Sequence, residues 1–415
     1  MPVPSFPSQL ARRAPYYGWM IVVLAAVAMA ATLPGRTHGL GLITKRMLED
    51  LAISRESFAM MNLAATLIGA LFCIPCGWLI DRGHLRTLVA ITVAALGGVV
   101  IWMATLTDPF SLAVAVTLSR GIGQSMLSVI SIAMVSRWFE RRLGPAMGVY
   151  SVLMSLMMAV ATGVVGLQIQ SHGWRAGWSV LGYTLLVTAP VLGLLTRSTP
   201  RNRELEFGAT AAPAASGGPR LSDALKTSCF WVFSLSISFF GLVSSGLSLF
   251  QNYVLDERGF SESVFQLVLI IGLFVGMLTN LAAGWCAQRI SLSHMLVVAL
   301  ALLAISLGCF PLVRELWHVY LYALTQGIAG GILTVLFFTV WGRAFGGAHL
   351  GRIQGAAQMM TVLASAVGPL MVELPRAATG SYVPVFIVSA LIAGSLAIVA
   401  WFTPLPRFAA TTPAH

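Results

Sequence analysis

Gly77-Trp78-Leu79-Ile80-Asp81-Arg82 returns 207 residues later as Gly284-Trp285-Cys286-Ala287-Gln288-Arg289. Gly121-Ile122, Arg137 and Phe139 return as Gly327-Ile328, Arg343 and Phe345 at an offset of 206, and Gly144 and Gly148 as Gly351 and Gly355 at 207. An offset this steady means that one half of the chain is followed by a second half built on the same plan. A single inserted loop residue accounts for the change from 206 to 207.

Between these markers the chain is too apolar to face water. Of 415 residues 25 are basic and 14 acidic, so 9% are charged, against roughly 25% in a soluble domain. Apolar residues make up 57%. They recur in blocks such as 19–33, 88–106 and 295–312, each close to the ~20 residues that cross a bilayer core. Charged or Pro/Gly-rich breaks predict helices near 17–43, 56–80, 86–106, 110–136, 144–168, 175–196, 228–252, 262–287, 291–312, 316–341, 351–373 and 381–402. The expected fold is an all-α membrane protein with twelve transmembrane helices in two pseudo-symmetric six-helix bundles, residues 1–196 and 228–415, joined by a polar linker at 197–227. Six crossings separate matching helices, which therefore run in the same direction about an axis along the membrane normal.

Charge placement then sets orientation. Twelve crossings put both termini, the linker and every second loop on one side, and that side carries sixteen basic residues against eight on the other, with Arg120 in neither. The bias predicts cytoplasmic termini in a cell (inner) membrane. The net charge of +11 is scattered rather than gathered into a patch, so nucleic acid is not an expected partner. The first 17 residues carry Pro2, Pro4, Pro7, Arg12, Arg13 and Pro15 and no removable signal peptide, so the apolar run after Tyr17 is read as the first membrane helix.

Several chemistries are disfavoured. Cys73, Cys76, Cys229, Cys286 and Cys309 all fall in or beside apolar segments, where a disulfide framework is not expected. Cys73-Ile-Pro-Cys76 has a redox or metal spacing without a second ligand pair, and packing explains it better. Neither Lys45 nor Lys226 closes a phosphate-binding loop, and there is no His-Glu-x-x-His pair and no Gly-x-Ser-x-Gly elbow. No enzyme, cofactor or metal site is expected.

The loop after the second predicted helix, with Gly77, Asp81, Arg82, Gly83 and Arg86, resembles the signature Gly-x-x-x-Asp-Arg-x-Gly-x-Arg of the major facilitator superfamily, although its second glycine, Gly83, falls one place early. The likeness covers nearly the whole chain. Within the superfamily, Tyr17-Gly18-Trp19, the run from Arg137-Trp138-Phe139-Glu140 to Met147-Gly148, and Gly173-Trp174-Arg175-Ala176 are similar to the monocarboxylate-porter and oxalate/formate-exchanger branch. The resemblance implies a gate in which Asp81 holds the outward-open state across the bundle interface. Asp81 is expected near the positive N-terminal end of the helix that begins about Gly351, with Arg82 and Arg86 reaching Glu140. The bland alternative is a tight turn with solvated charges. Gln288 replaces the acid in the second half.

Arg120 is the sharpest site candidate. It lies about ten residues into its helix, where an arginine costs at least roughly 2.5 kcal/mol, and no acidic residue is near it in sequence. A guanidinium without an acidic partner suits a carboxylate, which its planar fork holds through two hydrogen bonds; the competing reading is an arginine tied to helix carbonyls. Arg36, two residues after Pro34 in the loosened outer part of the first helix, is the second candidate. Porters of the resembled branch carry a basic residue on helix 1 just after a proline. His38 is a candidate for proton coupling. Gln124, Asn280 and Gln358 are the neutral residues expected to orient a ligand, with Asn62, Gln251, Asn252 and Tyr253 polar enough to do so or to bond helix to helix. The acidic and basic pair that animal porters carry on helix 8 is absent from 264–286.

These features predict a secondary transporter that moves a small organic anion, a monocarboxylate, by alternating access, coupled to protons or to a counter-anion. A monomer is expected. The alternatives are an efflux permease for a drug-like or siderophore-like compound and, in another class, a non-transporting membrane sensor.

Overall fold

In a hydrocarbon environment every backbone N–H and C=O must find its partner within the protein, and the apolar blocks meet this demand as helices. The computed structural model describes residues 17–139, 142–197, 219–347 and 349–406. Its helices are α1 Tyr17–Ala30, α2 Thr37–Asp50, α3 Arg55–Ala70, α4 Cys73–Asp81, α5 Leu85–Thr105, α6 Pro109–Ser119, α7 Ser128–Trp138, α8 Leu143–His172 and α9 Trp174–Leu195 in the first half. The short α10 Leu221–Ala224 precedes α11 Ser228–Asp256, α12 Glu262–Cys286, α13 Leu292–Cys309, α14 Leu316–Phe345, α15 Leu350–Thr379 and α16 Val383–Trp401. Among the described residues, eleven spans are long and apolar enough to cross a membrane. The broken segment from α1 to α2 completes twelve.

Polar residues start the helices where the loops turn back. Ser54, Asp108, Thr227 and Ser291 each accept a backbone N–H from three residues further on, satisfying groups the first helical turn leaves open. At Asp108, which lies outside the spans, the Ser111 N–H holds the carboxyl below its usual range.

The structure departs from uniform helices in three places. The sequence predicts one helix over 17–43; Leu33-Pro34-Gly35 instead forms a 3-10 turn between α1 and α2. The second predicted helix bends between α3 and α4, where Pro75 has no N–H to give and its ring crowds the carbonyl four residues back. The fourth carries a π-helical stretch, Arg120–Leu127, between α6 and α7.

Two apolar cores result, one from Ile21 to Leu192 and one from Ala224 to Ala400, with Phe338 of α14 joining the first. The halves meet chiefly through α4 against α15 and α8 against α12. Glycine makes these crossings close enough to matter. A Cβ placed on Gly77 would lie 2.5 Å from the Gly351 carbonyl oxygen, and one on Gly144 would lie 2.5 Å from that of Gly284. One layer deeper, a Cβ on Gly355 would lie 2.7 Å from Cys73 O, and one on Gly148 would lie 2.9 Å from Asn280 O. The offset of 207 exchanges the members of each pair of contacts, so the sequence repeat is also the symmetry of the interface. This seam closes the bundles on the linker side.

The motifs shared with the porter branch are packing joints. Tyr17 donates its hydroxyl to Leu195 O at 2.5 Å, and Trp19 meets the Phe139 ring at 5.2 Å. Arg175 pairs with Asp50 at 3.0 Å and donates to the carbonyls of Ala104 and Leu106, tying three helix ends together on the side opposite the linker.

Candidate functional site

The break at Pro34-Gly35 packs directly on the π-helical turn. A Cβ on Gly35 would meet Ser119 O at 2.3 Å and Gln124 N at 2.9 Å, while one on Gly69 would meet the Arg120 Cβ at 2.9 Å. Two glycines thus let α3 and the broken first crossing press against the backbone around Arg120. The break also leaves the Gly35 carbonyl free of a helical partner.

Arg120 uses that carbonyl. Its Nη1 donates to Gly35 O at 3.2 Å, Thr37 Oγ1 at 3.1 Å and Gln124 Oε1 at 2.7 Å, and its Nη2 donates to Asn62 Oδ1 at 2.7 Å. The residue is 2% exposed, and its Nε is buried without a partner. Four neutral oxygens hold the guanidinium at this depth, because the broken helix offers a carbonyl and three polar side chains converge there. Only one of the four acceptors is main-chain. The other three, on Thr37, Asn62 and Gln124, line a cavity of about 220 Å³ that Ser245 and Ser365 close from the second bundle.

Arg36 is placed differently. It is half-buried, its Nε donates to Thr32 Oγ1 at 2.9 Å, and its Nη2 lies 3.0 Å from Met29 Sδ and 2.9 Å from Ser128 Oγ. Its Nη1 makes no hydrogen bond among the described residues. One helical turn beyond Ser128, Ser131 shares a 2.7 Å hydrogen bond with the Tyr150 hydroxyl of α8. Neither arginine has a carboxylate within 4 Å among the described residues. His38, next in the chain but one, is exposed and makes no side-chain hydrogen bond among the described residues.

The other proposed ligand residues are spread out. Asn280 is 6% exposed and lines a second cavity of about 380 Å³, formed mostly by α11, α12 and α14. Gln358 is buried and lines neither cavity. Asn62, polar enough in sequence to bond helix to helix, meets the guanidinium, while Thr37 carries no sequence signal for the same contact.

At the linker-side seam, Asp81 Oδ1 accepts the Gly351 N–H at 2.8 Å and Oδ2 accepts the Arg352 N–H at 3.2 Å. These are the first-turn donors of α15, where an anion is favoured. Arg352 Nε and Arg137 Nη2 lie 3.5 and 3.8 Å from the carboxylate. Arg137 also donates to Ile80 O at 2.7 Å, and its repeat partner Arg343 donates to Ala287 O, the repeat partner of Ile80. Arg82 lies over the Trp78 ring at 3.3 Å, and Arg86 donates to Gly193 O at 2.7 Å. The pairing expected with Glu140 falls outside the described residues.

Twelve crossings, a twofold sequence repeat and a central polar site define a membrane carrier, and the chain belongs to the Major Facilitator Superfamily, which it matches over residues 16–255 and 235–415. It is a multi-pass transporter of a small molecule and not an enzyme. It is 24% identical to monocarboxylate transporter 13 of Rattus norvegicus over 94% of this chain and 90% of that protein. To monocarboxylate transporter 11 of Homo sapiens it is 26% identical, over 90% and 80%. Its fold is that of the E. coli fucose:proton symporter (TM-score 0.65, 14% identity, 94% and 99% covered) and of the human organic anion transporter MFSD10 (TM-score 0.69, 15%, 95% and 100%).

Proposed function

We propose that this transporter carries a small organic anion, a monocarboxylate, by alternating access of two bundles, residues 1–196 and 228–415, about the 197–227 linker. The observation that carries the reading is a pair of arginines within the membrane, Arg36 and Arg120, with no carboxylate beside either among the described residues. Arg36 offers an uncommitted Nη1 and is the direct anion contact. Arg120 supports it from behind: its charge raises the local potential, and its hydrogen bonds fix Thr37, Asn62 and Gln124 around the space the anion enters. Relatives named as monocarboxylate transporters favour the same chemistry.

Two cations with no internal counter-charge also bear on coupling. When the substrate leaves, nothing nearby neutralises them, so an empty carrier moves poorly and a second anion returns it. Exchange of one anion for another is the proposed mode. The excess of basic residues on the linker side supports cytoplasmic termini in the cell membrane, and the protein works as a monomer, each chain containing a complete site.

The test uses purified protein in vesicles with a labelled short-chain monocarboxylate. Uptake is expected to need an internal anion and to be little changed by a pH gradient. Uptake driven by the pH gradient alone would overturn exchange; absence of carboxylate uptake under every condition would overturn the anion reading.

A further inference from the structure

The two corners of the linker-side seam match in their arginine and their glycine and differ in their acid. At the first, Arg137 donates to Ile80 O, and the carboxylate of Asp81, the next residue, lies between Arg137 and the Gly351 N–H. At the second, Arg343 donates to Ala287 O, and Gly144 stands where Gly351 does. Gln288 occupies the place of Asp81 and brings no negative charge to the arginine. No carboxylate lies within 4 Å of Arg343 among the described residues.

Where the acid is missing there is room. A cavity of about 310 Å³ opens beside Arg343, between the last turns of α7 and α14 and the start of α8. Ser136 and Leu143 line it from the first bundle, and Gly342, Arg343 and Gly346 from the second. Gly346 turns the chain away at φ +72°, and a Cβ there would meet nothing within 4 Å. At roughly 30 Å³ per water, the space holds a small oxyanion together with its first waters. Among the described residues Ala287 O is the one hydrogen-bond partner of Arg343, which leaves most of the five guanidinium N–H groups for a ligand.

We propose that this corner binds a small free oxyanion, a carboxylate or a phosphate, which takes from solution the place that Asp81 holds covalently in the other half. Arg343 supplies charge-assisted hydrogen bonds from the N–H groups that Ala287 does not use. The Gly144 N–H, which the first helical turn leaves open, is the backbone donor equivalent to that of Gly351. The bound anion joins α8 of the first bundle to α14 of the second and so holds the seam shut on the linker side. This site is regulatory and separate from Arg36 and Arg120: Arg343 ends its crossing, whereas Arg120 lies midway along one. It stands whatever substrate is carried.

The experiment adds sodium phosphate or sodium acetate to the purified protein in detergent, against sodium chloride of equal ionic strength. At least one oxyanion is expected to raise the melting temperature by about two degrees more than chloride does, and the stronger of the two identifies the ligand chemistry. The shift should vanish in Arg343→Gln. In Gln288→Asp, where a side-chain carboxylate takes the place of the ligand, it should fall severalfold. The same anion should slow labelling of a cysteine introduced in the seam severalfold in the wild type, and much less in Gln288→Asp. If neither oxyanion stabilises the wild type beyond chloride, or if the shift survives undiminished in Arg343→Gln or Gln288→Asp, the site is overturned. A shift that obeys both variants without slower labelling overturns the closing role. Since Gln288→Asp removes no contact of Arg343, it keeps the test decisive even where Arg343→Gln fails to fold.

Discussion

The carboxylate of Asp81, on the first bundle, accepts the backbone N–H of Gly351, on the second, at 2.8 Å. A single side chain thus caps a helix across the seam between the two halves. Hydrogen bonds to a charged acceptor contribute about 1.5–3 kcal/mol each, and Asp81 makes two such bonds to backbone donors. Asp81→Asn keeps the shape and loses the charge. The linker-side-closed state is expected to lose at least roughly tenfold in population. Labelling of a cysteine introduced in the seam, in a cysteine-free background, should rise accordingly; unchanged labelling would remove Asp81 from the gate.

Glycine sets how closely the halves approach, so a side chain there should act through closure rather than through the folding of either bundle. Gly77→Val and Gly284→Val each force a Cβ against a facing carbonyl, at 2.5 Å from Gly351 O and 2.7 Å from Gly144 O. Both variants are expected to fold, to hold the seam apart and to lose transport. Because the repeat exchanges the two contacts, the losses should be similar. A large difference between them would mean that the seam does not open symmetrically.

The repeat was legible because the same glycines that recur in sequence make the interface, and a close crossing tolerates nothing larger. Helix number followed from apolar length. The depth of Arg120 was legible for the opposite reason, an expensive residue in the wrong medium. What surrounds Arg120 was not. The π-helical turn at Arg120–Leu127 has no marker of its own, since Gly35 and Gly69 reach it from far away in the chain. Thr37 and Asn62 become ligands of the guanidinium only once the first crossing breaks at Pro34, and the Met29 sulfur beside Arg36 reads in sequence as plain apolar packing.

A planar fork serving four oxygens has no substitute with a point charge. Arg120→Lys leaves one nitrogen with three donors, too few for the four oxygens of Gly35, Thr37, Gln124 and Asn62. Loss of two of these bonds at about 1 kcal/mol each is expected to lower the melting temperature in detergent by several degrees. Arg36→Lys should change thermal stability less while raising KM for the anion. The reverse pattern, a stable Arg120→Lys with raised KM, would exchange the roles assigned to the two arginines.

The seam is symmetric in its glycines and asymmetric in its charges. At the position repeating Asp81 stands Gln288, and at the position repeating Arg352, whose N–H completes the cap, stands Pro145, which has no N–H. At these two positions the second corner therefore has neither the acid nor the second N–H, while Gly144 keeps the other donor. Gln288→Asp brings an acid back to the start of α8 beside Arg343. With one backbone donor available instead of two, its gain should be smaller than the loss in Asp81→Asn, about 1 kcal/mol. That is enough to favour the linker-side-closed state severalfold and to slow turnover without altering which anions compete. Combined with Asp81→Asn, it should restore part of the lost closure in the seam-cysteine assay. If the double variant labels as fast as Asp81→Asn alone, the two corners of the seam are not equivalent supports of one closed state.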